Sequence, residues 1–285
     1  MTGRIVRSMF RMLTAAVILS MGVPSALVAQ GHGPIYGLST PTLGKGGWSL
    51  DVGAMARLLD GPRTAMVRPM VSYGITADLQ AFGSFPVAIE RDSDAPPVRG
   101  FTRMPATRDV EIGFGWRPQR TGVGVGARRE TTIWVAVDHP LESDRRGLET
   151  APGAFGAVVT GYASRTVYAW AGGAYRRYAT DGGDRPGDVT MASFVLGYRP
   201  SVFRGDYPNA DWRAFVEVVG EWVGEDRLSG RAVSDTGGRQ IFVALTALGL
   251  YGSWGMAAGP ALPVSQNLDG PREKARFAVN VTFWW

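Results

Sequence analysis

The chain has 285 residues, 39 of them glycine and none cysteine, 11% aromatic residues and a formal net charge of +5. Arg4, Arg7 and Arg11 sit in a leader-like segment, and without those three the balance falls to about +2, too little for a nucleic-acid surface. With no cysteine there is no disulfide framework, so an exported chain must hold together by backbone pairing and packing. Glycine and aromatics in these amounts suit a β-rich fold with many tight turns.

Met1 to Arg11 is basic. Met12 to Val23 is an apolar run too short to cross a bilayer as a helix, and Pro24 ends it. Ala26-Leu27-Val28-Ala29 closes on a small residue, which predicts a signal peptide over 1–29. Residues 30–46, rich in Gly, Pro, Ser and Thr, read as an irregular arm on the periplasmic side. Residues 47–285 carry the fold, and no later apolar run reaches about 18 residues, so membrane helices are not expected.

The rest of the chain alternates. Trp48, Leu50, Val52, Ala54 and Ala56 oppose Ser49, Asp51, Gly53, Met55 and Arg57, a first strand with one apolar and one mixed face. Val67 to Ile75 gives a second, in which Pro69 is awkward for a ladder and suggests a bulge or weak point. Leu79 to Val87 is the third, followed by a long polar segment from Glu90 to Arg108. The fourth carries Val110, Ile112, Phe114 and Trp116 against Glu111, Gly113 and Gly115. Arg117 to Arg129 is Gly-rich and reads as a connector. Further strands fall at Glu130–Asp138, Gly153–Tyr162, Thr166–Arg176, Asp188–Tyr198, Trp212–Trp222, Arg239–Leu250, Trp254–Val264 and Phe277–Trp285.

Twelve segments of about ten residues are an even count, each long enough to cross hydrocarbon at a tilt. Links after even strands are mostly short and those after odd strands mostly long, as expected when both termini face the periplasm. Three links break the rule: the first is too short, the fourth and eighth too long. The fold expected is all-β, a single antiparallel up-and-down transmembrane β-barrel of about twelve strands in the cell outer membrane. A β-sandwich is the soluble alternative.

The two faces carry different chemistry. Trp48, Trp116, Trp212, Trp222, Phe283 and Trp285 lie near strand ends on the apolar parity, where an aromatic girdle in contact with outer-membrane lipid belongs. Asp51, Arg68, Glu111, Arg213, Glu217 and Glu221 lie on the other parity and are the candidate lumen-lining residues. Both signs share that face, so a cross-barrel salt-bridge network is expected ahead of contact with a specific ligand. Phe277, Val279, Val281, Phe283 and Trp285 make the last strand apolar on one side. It is similar to the terminal strand that the barrel-assembly machinery recognises in bacterial outer-membrane barrels, which makes that machinery an expected partner.

Several stretches resemble a family of outer-membrane barrels, labelled transporters and named for the meta-pathway of phenol degradation. They are Gly37-Leu38-Ser39-Thr40-Pro41-Thr42-Leu43 with Gly46-Gly47-Trp48, Met70-Val71-Ser72-Tyr73-Gly74-Ile75-Thr76 before Asp78-Leu79, Ala258-Gly259-Pro260-Ala261-Leu262-Pro263-Val264, and Glu273-Lys274-Ala275-Arg276-Phe277. The likeness runs from about residue 33 to the C-terminus, through strand-and-turn patterns rather than one sharp motif. Trp stands at the end where Phe is more usual. The resemblance implies a barrel and uptake of small aromatic or hydrophobic solutes, and it brings no catalytic residues.

Chemistry of other kinds finds little support in the residues. His32 and His139 are the only histidines. A triad of His139 with Asp138 and Ser143 would need neighbours on one strand to converge, and no nucleophile elbow is visible. Two histidines without cysteine make no structural zinc site. Asp181-Gly182-Gly183-Asp184 reads as a polar loop tip, and Gly122-Val123-Gly124-Val125-Gly126 lacks the helix a dinucleotide loop needs. No enzyme activity, cofactor, metal or nucleic-acid partner is expected. The function expected is passive passage of a small-molecule solute, against a non-conducting surface or structural barrel as the alternative, with an outer-membrane hydrolase behind both.

Overall fold

A computed structural model of the chain describes residues 33–60, 63–91, 109–140, 151–180, 182–205, 209–234, 236–268 and 272–285. The expected signal peptide, most of the polar segment after the third strand, and Ser143 lie outside the described residues.

The wall begins with β1 (Trp48–Leu59), β2 (Arg63–Gly74), β3 (Leu79–Ser84), β4 (Val87–Arg91), β5 (Asp109–Gly124) and β6 (Ala127–Pro140). It continues with β7 (Gly153–Ala163), β8 (Val167–Tyr178), β9 (Val189–Tyr198) and β10 (Asp211–Val223). A small hairpin, β11 (Asp226–Leu228) and β12 (Arg231–Val233), stands outside the ring. The wall then resumes with β13 (Gly238–Tyr251), β14 (Trp254–Leu268) and β15 (Glu273–Trp284). All pairings in the wall are antiparallel, and β1 pairs with both β2 and β15, so the sheet closes. β3 and β4 both pair with β2 and form two halves of one wall strand, which makes the 13-stranded sheet a ring of twelve. Closure leaves no edge, the condition for a sheet to stand in hydrocarbon.

The break between β3 and β4 explains Pro69. β2 itself runs unbroken, with Pro69 opposite Val52. The irregularity falls on the neighbouring strand, where Phe85 N donates to Pro69 O at 2.9 Å. Neither Pro69 nor Pro86 has an N–H for the ladder, so pairing resumes only at Val67–Val87.

Burial alternates along the strands, most cleanly in β9. The exposed parity is apolar: Ile112, Val137, Leu245 and Phe277 are each more than half exposed. The buried parity includes Asp51, Arg57, Arg68, Glu111, Arg176, Glu217, Glu221 and Arg276. Apolar outside and charged inside is the reverse of a water-soluble fold and matches a wall in lipid. Trp48, Trp116, Trp212, Phe283 and Trp285 are exposed on this outer surface near the end that holds the C-terminus, with Tyr73, Tyr198, Tyr251 and Trp254; Trp222 is exposed at the other end of β10.

Two expectations are corrected. The Gly-rich stretch Arg117 to Arg129 is not a connector. β5 extends to Gly124 and β6 starts at Ala127, joined by Val125-Gly126 with Gly126 at φ +69°. Residues 118–126 are all exposed, so this hairpin has no dry face to impose alternation, and its strands left no periodic signal. The link after the fourth wall strand is therefore short, as the orientation rule asks. The 199–210 link, carrying a 3-10 turn at Ser201–Phe203, stays long, and the 60–62 link stays short.

The second correction concerns the arm. Residues 33–40 are buried, and the segment lies inside the barrel rather than beside it in the periplasm. Small residues and prolines let it run through a bore already crowded with side chains, and bore side chains satisfy its amides. It crosses the barrel rim at Gly74, where Gly46 N donates to Gly74 O at 2.7 Å and Gly74 N to Gly47 O at 2.8 Å. A Cβ on Gly74 would stand 1.9 Å from Gly44 O, so only glycine lets the two backbones pass.

Candidate functional site: the bore and the arm within it

The bore carries three charged knots built from ladder neighbours. Near the end opposite the C-terminus, Arg57 of β1 faces Arg276 of β15 in register, and Glu273 lies between them. Arg57 Nη2 reaches Glu273 Oε2 at 2.6 Å, and Arg276 Nε reaches Glu273 Oε1 at 2.5 Å. Arg276 also grips Glu221 bidentately, at 3.0 and 2.7 Å, and lies 3.9 Å above the Phe242 ring centroid. Gln240, directly opposite Glu221, donates to it at 2.8 Å. Two like charges placed across a ladder would repel, and here each such pair is bridged by an opposite charge.

The second knot repeats this logic with the signs exchanged. Glu111 and Asp138 oppose each other on β5 and β6, and Arg176 of β8 joins them at 2.7 and 3.0 Å. Arg68 pairs with the other oxygen of Glu111 and donates to Ser84 Oγ at 2.9 Å. The third knot lies toward the C-terminal end. Arg117 holds Glu130 at 2.9 Å and Asp78 at 2.9 Å, and Arg128 adds a second contact to Glu130 at 2.9 Å.

Glu217 is held differently. It is fully buried on β10, and its carboxylate accepts three consecutive backbone amides of the arm: Ile35 N at 3.1 Å, Tyr36 N at 2.8 Å and Gly37 N at 2.6 Å. Thr246 Oγ1 donates at 2.5 Å. Among the described residues it has no arginine or lysine ion pair. Gly37 is required at this contact, because a Cβ there would meet Val195 Cγ2 at 2.4 Å. Below Glu217 the arm continues along the wall. Leu38 N donates to Ser193 Oγ at 3.0 Å, and Leu43 N donates to Gln80 Oε1 at 2.7 Å. Thr40 donates to Glu130 at 3.1 Å, while its own hydroxyl and carbonyl accept Trp170 Nε1 and Thr132 Oγ1. Tyr36 donates its hydroxyl to Gly259 O at 2.8 Å.

Between the arm and the second knot a cavity of about 170 Å³ remains. Asp51, Arg68, Glu111, Arg176 and Asn280 supply its polar side. Phe82, Trp134, Phe155, Met70 and Met191 supply its apolar side.

All six residues expected in the lumen face the bore. Asp51, Arg68, Glu111, Glu217 and Glu221 are buried there; Arg213 is half-buried, 3.0 Å from Asp211 and 5.3 Å over the Tyr168 ring. Asp51 accepts from Thr282 at 2.6 Å and Asn280 at 3.2 Å. The six are not one cluster: Arg68 and Glu111 meet, while Glu221 and Glu217 belong to separate arrangements. Arg117, Glu130, Asp138, Arg176 and Glu273 were missed. For Glu130 and Asp138 the signal was present, since both share the parity of Thr132, Trp134 and Ala136. Asp138 and His139 point to opposite sides, bore and exterior, so they do not converge as a triad requires. Asp184, in the loop tip, accepts Ser229 N at 2.6 Å.

No family model matches the chain, and no curated protein matches it. Solved structures do. An outer-membrane channel from Pseudomonas putida F1 is 12% identical, with a TM-score of 0.65 over 90% of this chain and 100% of that one. The NanC porin is 10% identical, with a TM-score of 0.50 over 82% of this chain and 98% of that one. At such identities the likeness speaks for the fold. Together with the apolar outer wall and the closed ring, it makes this chain an outer-membrane β-barrel.

Proposed function

We propose that the protein is a channel for passive passage of small solutes across the outer membrane. The observation that carries this reading is how the bore is filled. A barrel built only as a wall closes its interior with side chains from its own strands. Here residues 33–43, a segment that is not part of the sheet, take up the space, held by side-chain contacts to their backbone. Asp51, Arg68, Glu111, Arg213, Glu217 and Glu221 would set the polarity of the path that the arm occupies. The two solved structures described above are named as a channel and a porin, in keeping with this reading.

The cavity favours small amphipathic solutes. At about 170 Å³ it is close to the roughly 150 Å³ that holds one benzene ring in an apolar protein cavity, and it offers both aromatic and charged walls. The resemblance to the barrels named for phenol degradation implies small aromatic or hydrophobic solutes, which the aromatic side of the cavity suits. The aromatic residues at the two ends would anchor the barrel in lipid, and Phe277–Trp285 would engage the assembly machinery.

The test is single-channel conductance of refolded protein in planar bilayers, for the full chain and for a variant lacking residues 33–43. Current through the full chain supports the channel, and a rise on removal of the arm shows that the arm obstructs the path. The occupied bore also favours a second reading, a non-conducting barrel, and a full chain that inserts but stays silent would establish it.

A further inference from the structure

The buried glutamates of the bore divide into two kinds. Glu111, Glu130, Glu221 and Glu273 each hold at least one arginine. Glu217 is as buried as any of them, yet its donors are three amides and a threonine hydroxyl. Three of those four donors belong to the arm and leave with it. What would remain is a carboxylate in the bore with one hydroxyl partner, next to the buried apolar side chains of Val195 and Phe215 on the same inward faces. An anion so placed, flanked by apolar side chains, draws a cation that enters the bore.

We propose that Glu217 is the binding site for the cationic end of a solute, and that the arm is its resident substitute. The inference rests on the channel reading and names the solute class: organic primary ammonium ions. A primary ammonium presents three N–H donors from one centre. The arm presents three N–H groups to the same two oxygens, within 3.1 Å. An ammonium can turn one or two of its N–H groups toward the carboxylate and adds the positive charge that amides lack, which makes each bond charge-assisted. The cavity that Ile35 and Leu38 of the arm line has room for one ring and would join the space at Glu217 once the arm leaves, so benzylammonium is a fitting probe, with benzyl alcohol and benzoate as its neutral and anionic counterparts.

Two measurements separate this inference from the channel reading. Calorimetric titration in detergent, on the barrel lacking residues 33–43, should give saturable binding of benzylammonium and none of benzyl alcohol or benzoate. Glu217→Gln in that background should weaken binding by at least about tenfold, the cost of an ionic partner. Gly37→Val in the full chain, which displaces the arm by collision with Val195, should restore part of the binding and guards against a deletion variant that fails to fold. Affinity unchanged by Glu217→Gln would overturn the proposal. In bilayers, the arm-less barrel should be cation-selective and lose that preference with Glu217→Gln; an unchanged preference would likewise overturn it. Binding without current would remove the channel and leave the cation site.

Discussion

Glu217 and Glu221 lie four residues apart on β10, face the same bore and are equally buried, yet opposite means hold them. Glu221 is fixed by Arg276 and Gln240, residues of the wall itself. Glu217 is fixed by the backbone of a segment outside the sheet. The difference separates two tasks. A knot whose members all sit on ladder strands stiffens the cylinder and cannot open without unfolding it. A contact made by a threaded segment can be exchanged while the cylinder stands.

Breaking the wall knot should give the largest effect. Arg276→Ala leaves Glu221 buried without its arginine and Glu273 with Arg57 alone, at a cost of about 3–5 kcal/mol, read as a lower urea midpoint of the refolded barrel in detergent. Gly37→Ala acts only on the arm. Its methyl would meet Val195, with an overpacking cost of about 1–3 kcal/mol confined to that contact. Hydrogen exchange at Tyr36 and Gly37 should quicken, while that of β15 is unchanged. Thr246→Val removes the one donor to Glu217 that belongs to the wall, and about 1.5 kcal/mol is expected from a bond to a charged group. That change should loosen the arm further if it follows Gly37→Ala, since the two share a partner. Smallest is Trp48→Ala on the outer surface. It loses the 4.6 Å ring contact with Tyr73 and about 1 kcal/mol of stability in lipid, with no change at the arm.

The comparison also marks what the sequence could tell. Strand faces were readable because a period of two writes itself into side chains: Val216 and Glu217 could be put on opposite sides of β10 from residue type alone, and the structure has them so. Where both faces are wet the pattern falls silent, which is why β5 and β6 were cut short at Arg117 and Arg129. The arm was harder still. Its contacts use amides that every residue except proline possesses, so nothing in Ile35-Tyr36-Gly37 announces a carboxylate partner 180 residues away. Knot membership was half legible: the charged residues could be placed inside, but which Arg serves which Glu depends on strand register, and parity alone leaves that open.

Because the chain has no cysteine, one introduced pair can decide whether the arm closes the bore. A Cβ at Gly37 would lie 3.6 Å from Ser193 Cβ, within disulfide reach, and Val195→Ala clears the one collision. With Gly37→Cys, Ser193→Cys and Val195→Ala combined, the oxidised barrel should pass little current and conductance should rise when a reductant cuts the tether. Equal conductance in the oxidised and reduced forms of a correctly folded barrel would contradict the idea that the arm occupies the path.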